Sequence, residues 1–238
     1  MAAPAAPRAE TAAARSQRLF RQANARWQQD TNALEPAWQF AGACFDRAEY
    51  SLNDGERAEI AQLGMTAAHR ALHLDPRSAP AAYYLGLNLG QLAQTRSLGA
   101  LKLVGQMETT FKRSIELDEK FDFAGAHRSL GMLYRDAPGW PTSIGDRSKA
   151  RRHLTQAVHL FPGYPDNQIS LLEAELKWGE RKTVATHSPH VAAILEHTRQ
   201  ELKGEEWDAA WKDWDTRWEK IQATAGKTDA GKADAKKQ

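Results

Sequence analysis

One spacing constrains this chain more than any other. His73-Leu74-Asp75-Pro76, Glu116-Leu117-Asp118-Glu119 and His159-Leu160-Phe161-Pro162 succeed one another at intervals of 43 residues. Upstream positions keep the same step: Ala68, Phe111 and Leu154 align, and so do Ala71, Ser114 and Ala157. A fixed period of a few tens of residues marks an array of repeated units, in which no unit buries its apolar face alone and each is completed by its neighbours. Such an array makes a binding surface. The chain is therefore expected to hold another molecule rather than to carry out chemistry.

Within the period, apolar residues recur with helical spacing. Leu19, Phe20, Ala23 and Trp27 fall three and four apart, and Trp38, Ala41, Gly42 and Phe45 open a second helix just after Pro36. Asn53-Asp54-Gly55 breaks the chain. The next helix runs to Leu74, because Pro76 disfavours helix in the residue before it. Tyr84, Leu85, Gly86 and Leu89 open a second pair that closes at Leu117-Asp118. Leu130, Gly131 and Tyr134 open a third that closes at Leu160. Gln168, Leu171, Leu172 and Leu176 open a fourth. Its partner is expected to start at Ser188-Pro189, a cap followed by proline at the first helical position, and to stop at Gly204. Gly42, Gly86 and Gly131 mark places where paired backbones approach. The expected fold is all-α: a solenoid of about four helical hairpins with a C-terminal capping helix, spanning residues 15–222. Residues 1–14, rich in Ala and Pro, and residues 223–238, a basic tail with no apolar residue larger than alanine, are expected to be disordered.

Composition excludes several classes. The 238 residues carry a formal net charge of +2, too small an imbalance for a nucleic-acid partner. No stretch reaches the roughly 18 apolar residues needed to cross a bilayer. Residues 1–20 lack the apolar centre of a signal peptide. The single cysteine, Cys44, cannot form an internal disulfide and is expected in the core. His69 and His73 share a helix face, and His187, His190 and His197 lie near one another, but neither set has the carboxylate or thiol pattern of a zinc site. No nucleophile-base order, phosphate loop or dinucleotide fingerprint stands out. Glu173 and Glu175 point apart on a helix and make a poor acid-base pair. No catalytic residue, metal or cofactor is assigned.

The hairpins resemble tetratricopeptide repeats. Leu85-Gly86 and Leu130-Gly131-x-x-Tyr134 match the first helix of that motif, and Ala68, Ala71 and Pro76, then Leu154, Ala157 and Pro162, match the second. The departure is length, 43 residues where the family has 34, and the excess falls at residues 50–55, 95–106 and 136–145. One branch is closer. Arg128-x-Leu130-Gly131-x-Leu133-Tyr134, Ala137-Pro138-Gly139-Trp140-Pro141 and Ser143-x-Gly145-Asp146, with Asn167 and Ala174-Glu175 downstream, resemble the TRAP-transporter-associated tetratricopeptide component, the TatT family. This resemblance covers roughly residues 36–180. It implies a periplasmic, often lipid-anchored accessory that binds the solute-binding subunit of a TRAP-type importer, is homo-oligomeric and helps pass hydrophobic or organic-acid ligands. No lipidation cysteine stands near residue 1, so export would rest on a leader outside this chain; a cytoplasmic placement is the alternative. The rival function is a general adaptor that grips a peptide in its groove.

Candidate binding residues follow. Register with Leu85 and Leu130 places Gln39, Tyr83, Leu87, Arg128, Met132 and Arg135 on the groove face of first helices. There Arg128 and Arg135 would pair with a carboxylate, unless they serve ion pairs within the chain. Two prolines stiffen the loop that carries Trp140, which either caps the inter-helix core or meets a partner. Asp146 is expected to cap the helix after it. The apolar insertion with Leu98, Leu101 and Leu103 either packs back on the array or lines a pore or subunit interface. Trp207, Trp211, Trp214 and Trp218 form one stripe on the last helix, which either caps the final hairpin or docks a partner.

Overall fold

The computed structural model describes residues 10–96 and 99–226. Among them are ten helices and no strand: α1 (Ala12–Gln29), α2 (Leu34–Ala48), α3 (Asp54–Leu74), α4 (Ala79–Gln94), α5 (Ala100–Leu117), α6 (Phe121–Asp136), α7 (Arg147–Leu160), α8 (Pro165–Lys177), α9 (Arg181–Glu201) and α10 (Glu205–Gly226). They form helical hairpins in two compact units, Met1–Thr110 and Phe111–Gln238.

Local chemistry sets most boundaries. The Asn53 side chain accepts from the Glu56 amide at 2.9 Å and starts α3, so the expected break is that helix's N-cap. Asp75 ends α3 before Pro76, and Ser78 starts α4. In the first unit α2 packs on α3 and α3 on α4. Phe40, Cys44, Ile60, Ala68, Leu85 and Leu89 form the core, with Phe20, Trp27, Leu103 and Met107 against its rim. Cys44 is buried there, and burial pushes its thiol pKa up. A Cβ on Gly64 would lie 2.2 Å from Asn88 Oδ1, so a side chain there would push the Asn88 amide off the Ala41 carbonyl to which it donates at 2.9 Å.

In the second unit α6 packs on α7 and α8 on α9. Ile169, Leu172, Val184, Val191 and Leu195 join Trp211, Trp214 and Ile221 of α10 in one core. The positions that defined the period, Ala68 and Ala71, Phe111 and Ser114, Leu154 and Ala157, are all buried. Periodicity in the sequence is thus periodicity of burial.

Three expectations change. The fourth hairpin's second helix starts at Arg181, not at Ser188, and runs through Pro189. An interior proline costs about 3 kcal/mol. The two turns before it bury Val184 completely, which returns about 1.5–3 kcal/mol along with their own hydrogen bonds. Ser188 is no cap; its hydroxyl donates to the Val184 carbonyl at 2.7 Å. Second, the excess over 34 residues is not loop throughout. α3 starts at Asp54 and α5 at Ala100, so the first two insertions are partly or largely extra helix, whereas α6 ends at Asp136 and the rest of residues 136–145 is loop. Third, order extends beyond residues 15–222. Thr11 caps α1 by accepting from the Ala14 amide, and Ala225 of α10 packs on the core. The expected disorder of residues 1–9 and 227–238 lies outside the described residues, as does Leu98.

Candidate partner-binding surfaces

α6 opens with an unusual turn. Asp122, Phe123 and Ala124 have φ of 51°, 53° and 62°. Left-handed backbone costs an L-residue roughly 1–2 kcal/mol, and three in succession require support. That support comes from α8. Asn167 donates to the carbonyls of Phe123 at 3.1 Å and Ala157 at 3.0 Å. The Phe123 ring stacks on Tyr164 with centroids 4.3 Å apart.

Arg128 completes the arrangement. It donates to Asn167 Oδ1 at 2.9 Å and pairs with Asp166 at 2.9 Å and Asp122 at 3.4 Å. Arg217, reaching from α10, donates to Asp166 at 2.6 Å, Glu173 at 2.8 Å and Ser170 at 2.9 Å. Burial pushes the Asp166 carboxyl up, but Arg128 and Arg217 outweigh it and hold it below the usual range. Burial likewise opposes the charge on Arg217, while Asp166 and Glu173 outweigh that cost and raise its pKa. Arg135 pairs with Asp136 at 2.7 Å and Glu173 at 3.5 Å. The Met132 sulfur meets the Ser170 hydroxyl at 3.8 Å.

Of the two readings open for Arg128 and Arg135, the structure shows the ion pair within the chain. They share a face with Met132, but that face is neutralised by α8 and α10, and the carboxylates that bind the arginines belong to this chain. Arg217 and Asp166 were missed, because their partners lie tens of residues away and no local pattern announces them.

In the first unit, Gln39 donates to Glu35 at 2.9 Å. Leu87 is half-buried, whereas Tyr83 is buried against Tyr84 with centroids 5.2 Å apart, so its ring is not open to a ligand. Leu103 packs on the core, and Leu101 is about half exposed, at 48%.

The stripe on α10 is turned inward. Trp211 and Trp214 are buried with Ile221, and Trp207 and Trp218 pack beside them. The Trp211 indole N–H donates to the Leu202 carbonyl at 2.8 Å, satisfying the end of α9. Trp211 and Trp214 are thus core residues of their own unit, Trp207 and Trp218 are half-buried against them, and α10 covers the last hairpin.

Trp140 is the opposite case. Its loop is closed by the Gly145 amide donating to the Pro138 carbonyl at 2.8 Å and the Asp146 amide donating to the Tyr134 carbonyl at 3.0 Å. The Thr142 and Ser143 amides both donate to the Gly139 carbonyl, and the Trp140–Pro141 peptide is cis. A Cβ on Gly145 would lie 2.1 Å from the Ala137 carbonyl oxygen, so the loop admits no side chain there. Asp146 accepts from the Lys149 amide at 2.9 Å and caps α7 as expected. Trp140 itself is 89% exposed. It caps no core.

The hairpin geometry matches solved structures. A thermophilic TPR protein of Thermus thermophilus, TTC0263, is 15% identical, with a TM-score of 0.64 over 88% of this chain and 91% of its own. MamA is 16% identical, with a TM-score of 0.54 over 81% of this chain and 99% of its own. The chain has a tetratricopeptide-repeat fold. No family model matches it, and no curated protein does. Among the described residues, no three His, Cys, Asp or Glu side chains stand close enough to hold a metal ion. His187 instead contacts Glu175 at 3.3 Å. No described helix is long and apolar enough to cross a membrane.

Proposed function

We propose that the protein is a non-catalytic scaffold that captures a protein partner, with Trp140 as the anchor. One observation carries this reading: a tryptophan almost wholly in solvent, on a loop whose backbone is fixed on both sides. Exposing an indole this large is unfavourable in an isolated molecule. Tryptophan dominates binding hot spots because it buries much area with few rotatable bonds. A rigid loop also lowers the ordering cost of binding. The inner face of the second unit is the weaker candidate, since its charges are already paired.

The partner we propose is the solute-binding subunit of a TRAP-type importer, met in the periplasm, with a homo-oligomer of this chain passing on a hydrophobic or organic-acid ligand. The support is the resemblance of residues 125–146 to the TatT pattern, a stretch that contains the anchoring loop. The adaptor reading shares the scaffold and differs only in its partner. Calorimetric titration with a purified solute-binding subunit encoded beside the chain tests the proposal. Binding that Trp140→Ala weakens supports both partner and anchor. Absence of binding removes the transporter reading and leaves the adaptor.

A further inference from the structure

α7 carries Arg147, Lys149, Arg151 and Arg152 and no acidic residue. Arg147 and Arg151 lie one turn apart, and both guanidiniums stack on Trp178, at 5.3 and 4.6 Å from the ring centre. Both donate to the same oxygen of Glu180, Arg151 at 2.5 Å. One carboxylate therefore faces two guanidiniums, and the buried Glu175 is the second carboxylate that meets the charge of Arg151. Arg152 is exposed and forms no ion pair among the described residues, although the Asp146 carboxylate at the start of α7 feels its charge. Arg147, Arg151, Arg152 and Glu180 line an open cavity of about 710 Å³ that continues along α7 to Gln156. At 1.5 Å per residue, the stretch from Arg147 to Gln156 is about 14 Å long.

We infer that this face of α7 is a docking surface for an acidic segment of a partner protein, whose carboxylates take the guanidinium edges that Glu180 leaves free. Glu180 is the argument for a carboxylate, because it already occupies the place between two guanidiniums that such a group would share. Stacking on Trp178 fixes two of the arginines before binding, so little side-chain freedom is lost when a ligand arrives. The surface is a trough along a helix, and its length suits a peptide with acidic residues a turn apart better than a small anion. It begins where the Trp140 loop ends, yet its arginines, Trp178 and Glu180 all lie outside that loop, and it does not require Trp140 to be the anchor.

A fluorescein-labelled twelve-residue oligoglutamate, titrated with the full chain at low salt, tests the inference by fluorescence anisotropy. The intact chain binds. Arg151→Gln combined with Arg152→Gln weakens binding about tenfold or more, while circular dichroism and melting stay as in the parent. Lys212→Gln combined with Lys220→Gln removes the same charge from α10 and leaves binding unchanged. Trp140→Ala also leaves it unchanged, which keeps a failure here distinct from a failure of the anchor. No binding by the intact chain, or equal loss in both double variants, overturns the inference. So does tighter binding to single-stranded DNA of equal charge or to phosphatidylserine vesicles.

Discussion

Nδ1 of His127 faces Nδ1 of His153 at 2.9 Å across the α6–α7 hairpin. One ring must donate its N–H to the lone pair of the other, so the contact needs a single proton between the two nitrogens. Burial first, then His127, Arg152 and Lys112, hold the pKa of His153 down at about 4. Burial also lowers that of His127, against the pull of Glu119. Unfolded imidazoles titrate near about 6.5. Between those values the unfolded chain binds more protons than the folded one, so stability rises with pH. Acidifying from about 6.5 towards 4 should therefore lower the melting temperature. The slope of that fall should flatten in His153→Gln. Equal slopes in the two proteins would remove the pair as its source.

Gly131 gives a second prediction. A Cβ there would lie 2.7 Å from Leu154 Cγ and 3.1 Å from its backbone nitrogen. Gly131→Ala should destabilise the chain by about 1–3 kcal/mol through forced separation of α6 and α7. Denaturant titration measures this, and a neutral or stabilising outcome would mean that the hairpin yields more easily than its contacts suggest.

Arg217 should be costly to remove although it touches no ligand. Arg217→Met leaves Asp166 and Glu173 short of a cation in a half-buried site, a loss of about 2–4 kcal/mol after allowance for partial exposure. Adding Asp166→Asn and Glu173→Gln should recover part of it, since the uncompensated carboxylates are then gone. Failure of the triple variant to recover would place the cost in packing.

Two tryptophans, one buried and one presented, should behave oppositely. Trp214, buried to 2% exposure, should cost about 3–5 kcal/mol as Trp214→Ala. Trp140→Ala should leave stability within about 0.5 kcal/mol while weakening partner binding about 30-fold, the effect of losing about 2 kcal/mol at a hot spot. A Trp140→Ala variant that melts early would overturn the reading of that loop as a presented anchor.

What the sequence made legible is what short-range chemistry decides. The end of α3 at Asp75 and the cap at Asp146 follow from a proline just ahead and from a side chain that reaches an amide three residues away. The 43-residue period follows from burial repeated at fixed steps. Pro189 misled because the buried side chain of Val184 outweighs a local start signal, and the helix before it is a tertiary effect. For Arg128 the sequence left two readings open, a bound carboxylate or an ion pair within the chain, and packing decides for the second. Its carboxylates, Asp122 and Asp166, and the competing cation Arg217 come together only once α8 and α10 have packed. Trp140 lay open between two readings because a stiff loop can point an indole inward or outward, and only the hydrogen-bonded closure at Gly139 and Gly145 decides which.

Cys44 has a practical consequence. The chain's one thiol lies in the core of the first unit, and burial keeps it from ionising. Alkylating reagents need the thiolate in contact with solvent. They will mark this protein only when the first unit opens, at a rate that scales with that opening. The cysteine is thus a built-in clock for half of the molecule, silent about the half that holds Trp140. Read beside a melting curve of the whole chain, it would tell whether the two units come apart together or in turn.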